Sequence, residues 1–372
     1  MMLASGSRTD TGTGTGARLR NAGPELLRIV ALLEAVGLHY LSHAGLVPQA
    51  GVPLSQGQVV GAVLESLCIA CLNVWVLLSG YYMSERSFRV GRLVELLLEV
   101  YFYLLLGYLL LLITGVINVR DLGGAYGILQ RLFPISGSAY WYMSAYIIVY
   151  ILSPVLCAGM DALDRGQARA ILGGLILFSI IIKTVIPVRF PTDHGGYEAG
   201  WFIVLFLMAR YIRRFELRLP HPGIIYVLCL AGIAAGTLGF HAIGIRTGHF
   251  LDYMNVFYEH NFILNILASV AIFQVFMELR IPEGRIARLI RAVSPHVLGM
   301  YLLHEHPEIR HRWLSALTEL IGEVPVDRPL LILPHMLMCM VIVAAAGLVV
   351  DILRERLFTA VKRSRHAGGG DV

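Results

Sequence analysis

Charge is scarce in this sequence. Only 15% of the 372 residues are Asp, Glu, Lys or Arg, while 57% are apolar and the mean hydropathy is +0.70. That excludes a soluble domain with one core, since ordinary globular chains carry about 25% charged residues. A hydrophilic block long enough to fold by itself is also missing, so no appended soluble domain is predicted. The head of the chain, SGSRTDTGTGTGARLR, lacks the apolar region of a signal peptide and reads as a disordered cytoplasmic tail over residues 1–20. The five cysteines all fall in apolar runs. Cys68 and Cys71 stand at i, i+3 without a second nearby pair, which argues for packing rather than zinc or a disulfide framework.

What is present is a series of long apolar runs. A hydrocarbon layer of about 30 Å needs roughly 20 apolar residues per helix. Runs divided by Gly, Pro and charge clusters lie near residues 25–45, 58–83, 93–117, 139–160, 170–188, 199–213, 223–244, 260–279, 294–304 and 329–352. The sixth and ninth are short. The fold class is therefore all-α, a polytopic integral membrane protein of about ten transmembrane helices spanning residues 21–356. Residues 357–372 form a second, basic cytoplasmic tail. Placing both termini in the cytoplasm puts 22 of the 30 Lys and Arg residues on that side and eight elsewhere, as the retention of basic residues on the cytoplasmic face requires. A multi-pass protein of the cytoplasmic, inner membrane follows. The net charge of +5 is met by anionic lipid headgroups and calls for no nucleic acid.

The first run, ELLRIVALLEAVGLHYLSHAG, carries Arg28, Glu34 and His39 where lipid favours none of them. At 100° per residue, eleven steps bring His39 back to within about 20° of Arg28 and roughly 16 Å further along the helix, near the bilayer midplane. Both side chains should face one cavity. Glu34 lies about 140° away and is expected to meet a donor on another helix or stay protonated. His39 is either a core histidine bonding between helices or a general base in a wet pocket, and spacing alone leaves both open.

Five patterns carry a resemblance. Arg28, ten intervening residues and His39 form an R-X10-H pattern; NVWVLLSGYYM ends an apolar run in Ser-Gly-aromatic; Arg89 and Arg92 form RxxR in the basic loop that follows. YWYMSAYIIVYILSP is a tryptophan-led helix ending in proline, and MYLLHEHPEIRHRW contains Tyr-Leu-x-His. In order and rough spacing these resemble acyltransferase family 3, the membrane proteins that include bacterial O-acetyltransferases acting on surface polysaccharides. The sequence departs from that pattern where Tyr146 replaces a glutamate often found five residues after the tryptophan, and where Glu95 follows in place of a proline after RxxR.

The resemblance implies an acyl-CoA-dependent O-acyltransferase. It would move an acyl group, acetyl by expectation, from cytoplasmic acyl-CoA as co-substrate to a hydroxyl of a cell-surface or lipid-linked glycan. His39 would be the catalytic base, since a hydroxyl is a poor nucleophile at neutral pH. Arg28, Arg89 and Arg92 would clamp the phosphates of coenzyme A, for which guanidinium geometry is suited. Ser79 and Tyr81 are candidate oxyanion donors, and Trp141, Tyr146 and His304 further pocket candidates. HEHPEIRH lacks HExxH spacing, and Pro307 breaks its helical register, so no metal is expected. The rival reading is a secondary transporter or flippase of a lipid-linked sugar, with Lys183 near a broken helix; such folds show internal repeats, and no convincing half-to-half similarity is found here.

Overall fold

The computed structural model describes residues 21–83, 88–131, 133, 140–186, 193–250, 253 and 256–367. The 1–20 tail and Arg86 therefore lie outside the described residues. Among those described, the secondary structure is helical. The helices are α1 Ala22–His43, α2 Gln56–Cys68, α3 Cys71–Met83, α4 Val90–Ile113, α5 Gly124–Arg131, α6 Trp141–Ala162, α7 Arg165–Ile176, α8 Ile182–Val185, α9 Ala199–Phe215, α10 Pro222–Thr247, α11 Ile263–Glu278, α12 Arg285–Val293, α13 Val297–His304, α14 Trp313–Ile321 and α15 Pro329–Ala367.

Eight helical segments among the described residues are long and apolar enough to cross a membrane. Each apolar run found in the sequence contains helix, but α9, with 17 residues, and α11, with 16, fall below that length. The ninth run is longer than its apolar part suggests. The amphipathic α12 and a 3-10 turn at Ser294–His296 extend it into a segment from Arg285 to His304. The last helix continues to Ala367, into the stretch read from sequence as a tail.

Helix ends obey local chemistry. The Asn21 side chain accepts from Gly23 N–H ahead of Pro24 in α1, and Ser55 with Gln58 and Asp164 with Gln167 form reciprocal capping boxes for α2 and α7. Two sets of contacts gather the two ends of the bundle. At one end, rich in arginine, Asn21 donates to the Met277 carbonyl, Arg213 to the Tyr81 carbonyl, and Arg354 pairs with Glu99 at 3.2 Å. At the other, His241 bonds the Val52 carbonyl and His43 packs edge-on to Trp313. Glu99 thus pairs with the last helix rather than continuing the Arg92–Glu95 ladder of α4, where Arg92 holds Glu95 at 2.9 Å.

At the centre stands α3, buried on every side from Cys71 to Gly80, as expected of a helix that is apolar all round. It continues the span begun by α2, but the backbone breaks at Ile69–Ala70. That break leaves the Ile69 carbonyl to accept from His260 at 3.2 Å, and Asn73, one turn on, donates to the His260 carbonyl at 2.8 Å. A second irregularity is a π-helical turn at Leu177–Ile181, directly before Lys183.

Lys183 is the hub of an ionic cluster. Its ammonium, 1% exposed, lies 2.8 Å from Asp193, 2.7 Å from the Asn261 side-chain oxygen, and also pairs with Glu259. Asp193 further accepts from Gly195 N–H and Asn261. The cluster ties the 193–198 loop to the 256–262 loop, and both carry residues of the central cavity. Burial pushes the Asp193 carboxyl up, yet hydrogen bonds from Lys183, Gly195 and Asn261 bring it below its ordinary value.

A carboxylate held below its unfolded value of about 3.9 adds stability above that pH and loses it as pH falls through the lower, folded value. Protection of the 193–198 and 256–262 backbone amides, exchange normalised to the intrinsic rate at each pH, should therefore fall on acidification below about pH 4. In Asp193→Asn that acid step should vanish, with a loss of about 3 kcal/mol at neutral pH from the buried lysine left short of a partner.

Candidate active site

The regular first helix keeps Arg28 and His39 on the interior side, but they line two different cavities rather than the one expected, because Trp75 and Tyr142 stand between them. His39 opens onto a cavity of about 260 Å³ whose walls include Trp75, Trp141, Tyr142, Tyr197, Tyr301 and Glu305. Arg28 lines a smaller one, about 20 Å³, with Ser79 and Tyr146. Trp75 and Tyr142 belong to both walls and stand between the two. Their rings meet edge to face at 5.6 Å, and both contact Tyr301 at 5.5 Å. Trp75 is held by donation from its indole to the Arg28 carbonyl at 3.3 Å.

At the upper cavity the proton arrangement follows from the partners. His304 places Nδ1 3.0 Å from the Met300 carbonyl, which can only accept, so Nδ1 carries the hydrogen and Nε2 a lone pair. That Nε2 lies 3.2 Å from His39 Nδ1, and a Glu305 oxygen lies 3.2 Å from the same atom. His39 Nδ1 therefore faces two acceptors and holds its hydrogen there. The basic lone pair is left on Nε2. The His39 side chain is 32% exposed while Glu305 is 8% exposed, so one ring joins an open cavity to a buried carboxyl. Burial pushes the Glu305 carboxyl above its ordinary range, against the pull of His304 and Arg310.

The ligand atoms of His39, His304 and Glu305 lie within 4.8 Å of one another, close enough to hold a divalent cation. The same spacings are met by a single proton on His39 Nδ1. Of the remaining residues in HEHPEIRH, His306 is structural. Its Nε2 is 3.1 Å from the Leu104 carbonyl, its Nδ1 accepts from Glu308 N–H, and Gly107 lets the ring approach α4 where any side chain would collide. His311 stacks edge-on against His43.

Arg28 is only 2% exposed. Its Nη1 is held by Glu25 at 2.5 Å, and Glu25 also accepts from Ser294. Nε and Nη2 are buried without a hydrogen-bond partner among the described residues, which leaves two donors suited to an anionic or carbonyl oxygen. Tyr146 and Ser79 line the space beside Arg28, and Tyr150, one turn on, exchanges hydrogen bonds with the Arg89 backbone. Arg28 and the Arg89 backbone thus flank one face of α6. The space at Arg28 admits only a water-sized group, so a phosphate there requires Tyr146 or its neighbours to move.

Other positions divide. Trp141 lines the upper cavity and His304 supports it from behind. Ser79 and Tyr146 line the lower one. Tyr81 faces neither; it packs on Phe273 under the Arg213 guanidinium, 4.5 Å from the ring centroid. Trp201 is buried, donating to Asn73 at 3.0 Å. Glu34 has no hydrogen-bond partner among the described residues and lies near Cys68, Cys71 and Tyr226, so the expected donor is not found. Two residues were missed. Glu305 lies 3.2 Å from His39, and adjacency to His304 is the one signal in its sequence. His260, 2% exposed, lines the upper cavity from a loop; nothing in its local sequence marks it.

A family model described as an acyltransferase domain, acyltransferase family 3, matches residues 21–352. No curated protein and no solved structure matches the chain.

Burial lowers the His260 imidazole to about 4, against the raising effect of its bond to the Ile69 carbonyl. With His260 neutral well below pH 5, nitrogen NMR of histidine-labelled protein should show this ring as the Nδ1–H tautomer, without titration from pH 5 to 8. A ring that protonates near pH 6.5 would contradict the burial described.

Proposed function

The chain belongs to the acyltransferase domain family 3, and from that membership and its two adjoining cavities we propose that it transfers an acyl group, acetyl by preference, from acyl-CoA to a hydroxyl of a cell-surface or lipid-linked glycan. The observation that carries this reading is the placement of His39, which lines the larger cavity while its Nδ1 lies 3.2 Å from both His304 Nε2 and Glu305, an arrangement that assigns the free lone pair to Nε2. Family membership also establishes a multi-pass membrane acyltransferase. Within it we assign ten passes through the inner membrane with both termini cytoplasmic, supported by the gathering of arginine at one end of the bundle.

In this reading coenzyme A enters from the arginine-rich end. Arg28, Arg89 and Arg92 bind its anionic portion, and the extended arm reaches past Trp75 and Tyr142 toward His39. Neutral His39 accepts the acceptor's hydroxyl proton at Nε2 as the oxygen bonds to the thioester carbonyl carbon. The resulting imidazolium is stabilised through Nδ1–H by Glu305, with His304 fixing the ring. Collapse of the tetrahedral intermediate breaks the C–S bond. The thiolate takes the proton back from His39, leaving ester, free thiol and neutral imidazole. We adopt the shared proton over a bound cation because one hydrogen on Nδ1 satisfies both acceptors, whereas a metal on Nδ1 would put the hydrogen on Nε2 and remove the base.

Measured as ester formed from labelled acetyl-CoA and envelope glycan, His39→Ala should lower kcat by about 10³-fold with insertion intact. Glu305→Gln should lower it by about 10²-fold or more. Parent-like rates in His39→Ala would remove the base. Arg28→Ala should raise the acyl-CoA KM well beyond its effect on kcat, and an unchanged KM would remove the clamp. Metal chelation should leave the rate unchanged; loss on chelation with recovery on adding zinc would replace the base by a metal site.

A further inference from the structure

Glu65 is unused by the chemistry above. It lies in α2, one turn before the break at Ile69–Ala70, is 7% exposed, and lines the His39 cavity. Its Oε2 is buried with no hydrogen-bond partner among the described residues. No lysine or arginine lines this cavity among the described residues. A carboxyl inside a membrane-spanning segment is costly without a partner, and such residues mark substrate sites more often than packing.

The surroundings indicate what the partner is. His260 gives its Nδ1 hydrogen to the Ile69 carbonyl, so its Nε2 is an acceptor. Glu65 and His260 thus offer acceptor atoms to one cavity. Beside them Trp141 and Tyr197 stand with ring centroids 4.8 Å apart, and Tyr197 is 5.0 Å from the His260 ring. Acceptors call for donors, and exposed aromatic faces suit the C–H face of a saturated ring. A carboxylate has two oxygens and can take hydrogen bonds from two neighbouring hydroxyls at once.

We propose that Glu65 is the acceptor-anchoring residue: with His260 it holds the non-reacting hydroxyls of a polyhydroxylated ring stacked on Trp141 and Tyr197, while another hydroxyl faces His39. The assignment rests on the acyl-transfer reading only for the fate of that last hydroxyl; binding itself does not need it. Glu305, engaged with His39, is not available for this task. A cationic amine is the competing occupant, and charge separates the two. A hydroxyl needs the acceptor oxygen that glutamine keeps, whereas an ammonium needs the negative charge.

The test uses the full chain in lipid nanodiscs, titrated with the methyl glycosides of glucose, galactose and rhamnose, and with choline as the cationic probe. Tryptophan fluorescence reports binding, since Trp75 and Trp141 line the cavity. At least one glycoside should give saturable quenching. Glu65→Ala should weaken it by about tenfold or more, and Glu65→Gln by no more than about threefold. In the ester assay Glu65→Ala should raise the acceptor KM by a similar factor, with the acyl-CoA KM unchanged. Glycoside binding unaffected by Glu65→Ala, or no binding by any glycoside, would overturn the assignment. So would choline binding to the parent that both variants abolish. Glycoside binding through Glu65 without ester formation would instead refute the acyl-transfer reading and leave this one standing.

Discussion

The structure turns on where a single hydrogen resides. The Met300 carbonyl fixes the hydrogen of His304 on Nδ1, which makes His304 Nε2 an acceptor. His39 then presents its own hydrogen to that acceptor and to Glu305, so its remaining lone pair is on Nε2. The choice is made by a backbone carbonyl in the last turns of a helix, which takes the ring hydrogen as a second bond beside its place in the helical ladder. Everything around the pair serves to keep it. His306 locks the turn to α4, and Gly107 allows the approach.

Breaking regular helix within the bilayer is expensive, and at two of the irregular turns among the described residues the compensation is visible. At Ile69–Ala70 the freed carbonyl is taken by His260 and the adjoining Asn73 binds the His260 backbone. At Leu177–Ile181 the π turn precedes Lys183, whose charge is met by Asp193 and Glu259. Both compensations end on the same pair of loops, 193–198 and 256–262. The loops that close the cavity are thereby fastened to the two irregular helices rather than left to packing alone.

Much of this was legible from sequence. The apolar runs gave the order of the helices, of which eight among the described residues are long enough to span rather than ten, and the eleven-residue interval between Arg28 and His39 placed both on one interior stripe. What escaped was whatever depends on contacts between distant segments. Glu305 follows His304 directly, yet only the meeting of the first and ninth runs makes it a partner of His39. Tyr81 fits the Ser-Gly-aromatic pattern of the motif but turns toward Phe273 and Arg213. Helical phase alone could not reveal that. Glu65 and His260 stand alone in otherwise apolar or loop sequence, where no periodicity distinguishes a ligand from a packed residue. The short ninth run was misjudged because α12 is amphipathic; its arginines, counted as loop, belong to helix.

Trp75 and Tyr142, the shared wall of the two cavities, have an electrical meaning as well. Across a bilayer that sustains a voltage, the field falls over the thinnest dry layer, and here that layer is about two side chains deep. A charged body carried through it does work of about 2.3 kcal/mol per elementary charge for each 100 mV. A carrier bearing several phosphates would meet that barrier in full. A neutral group passing the same two side chains does no such electrical work.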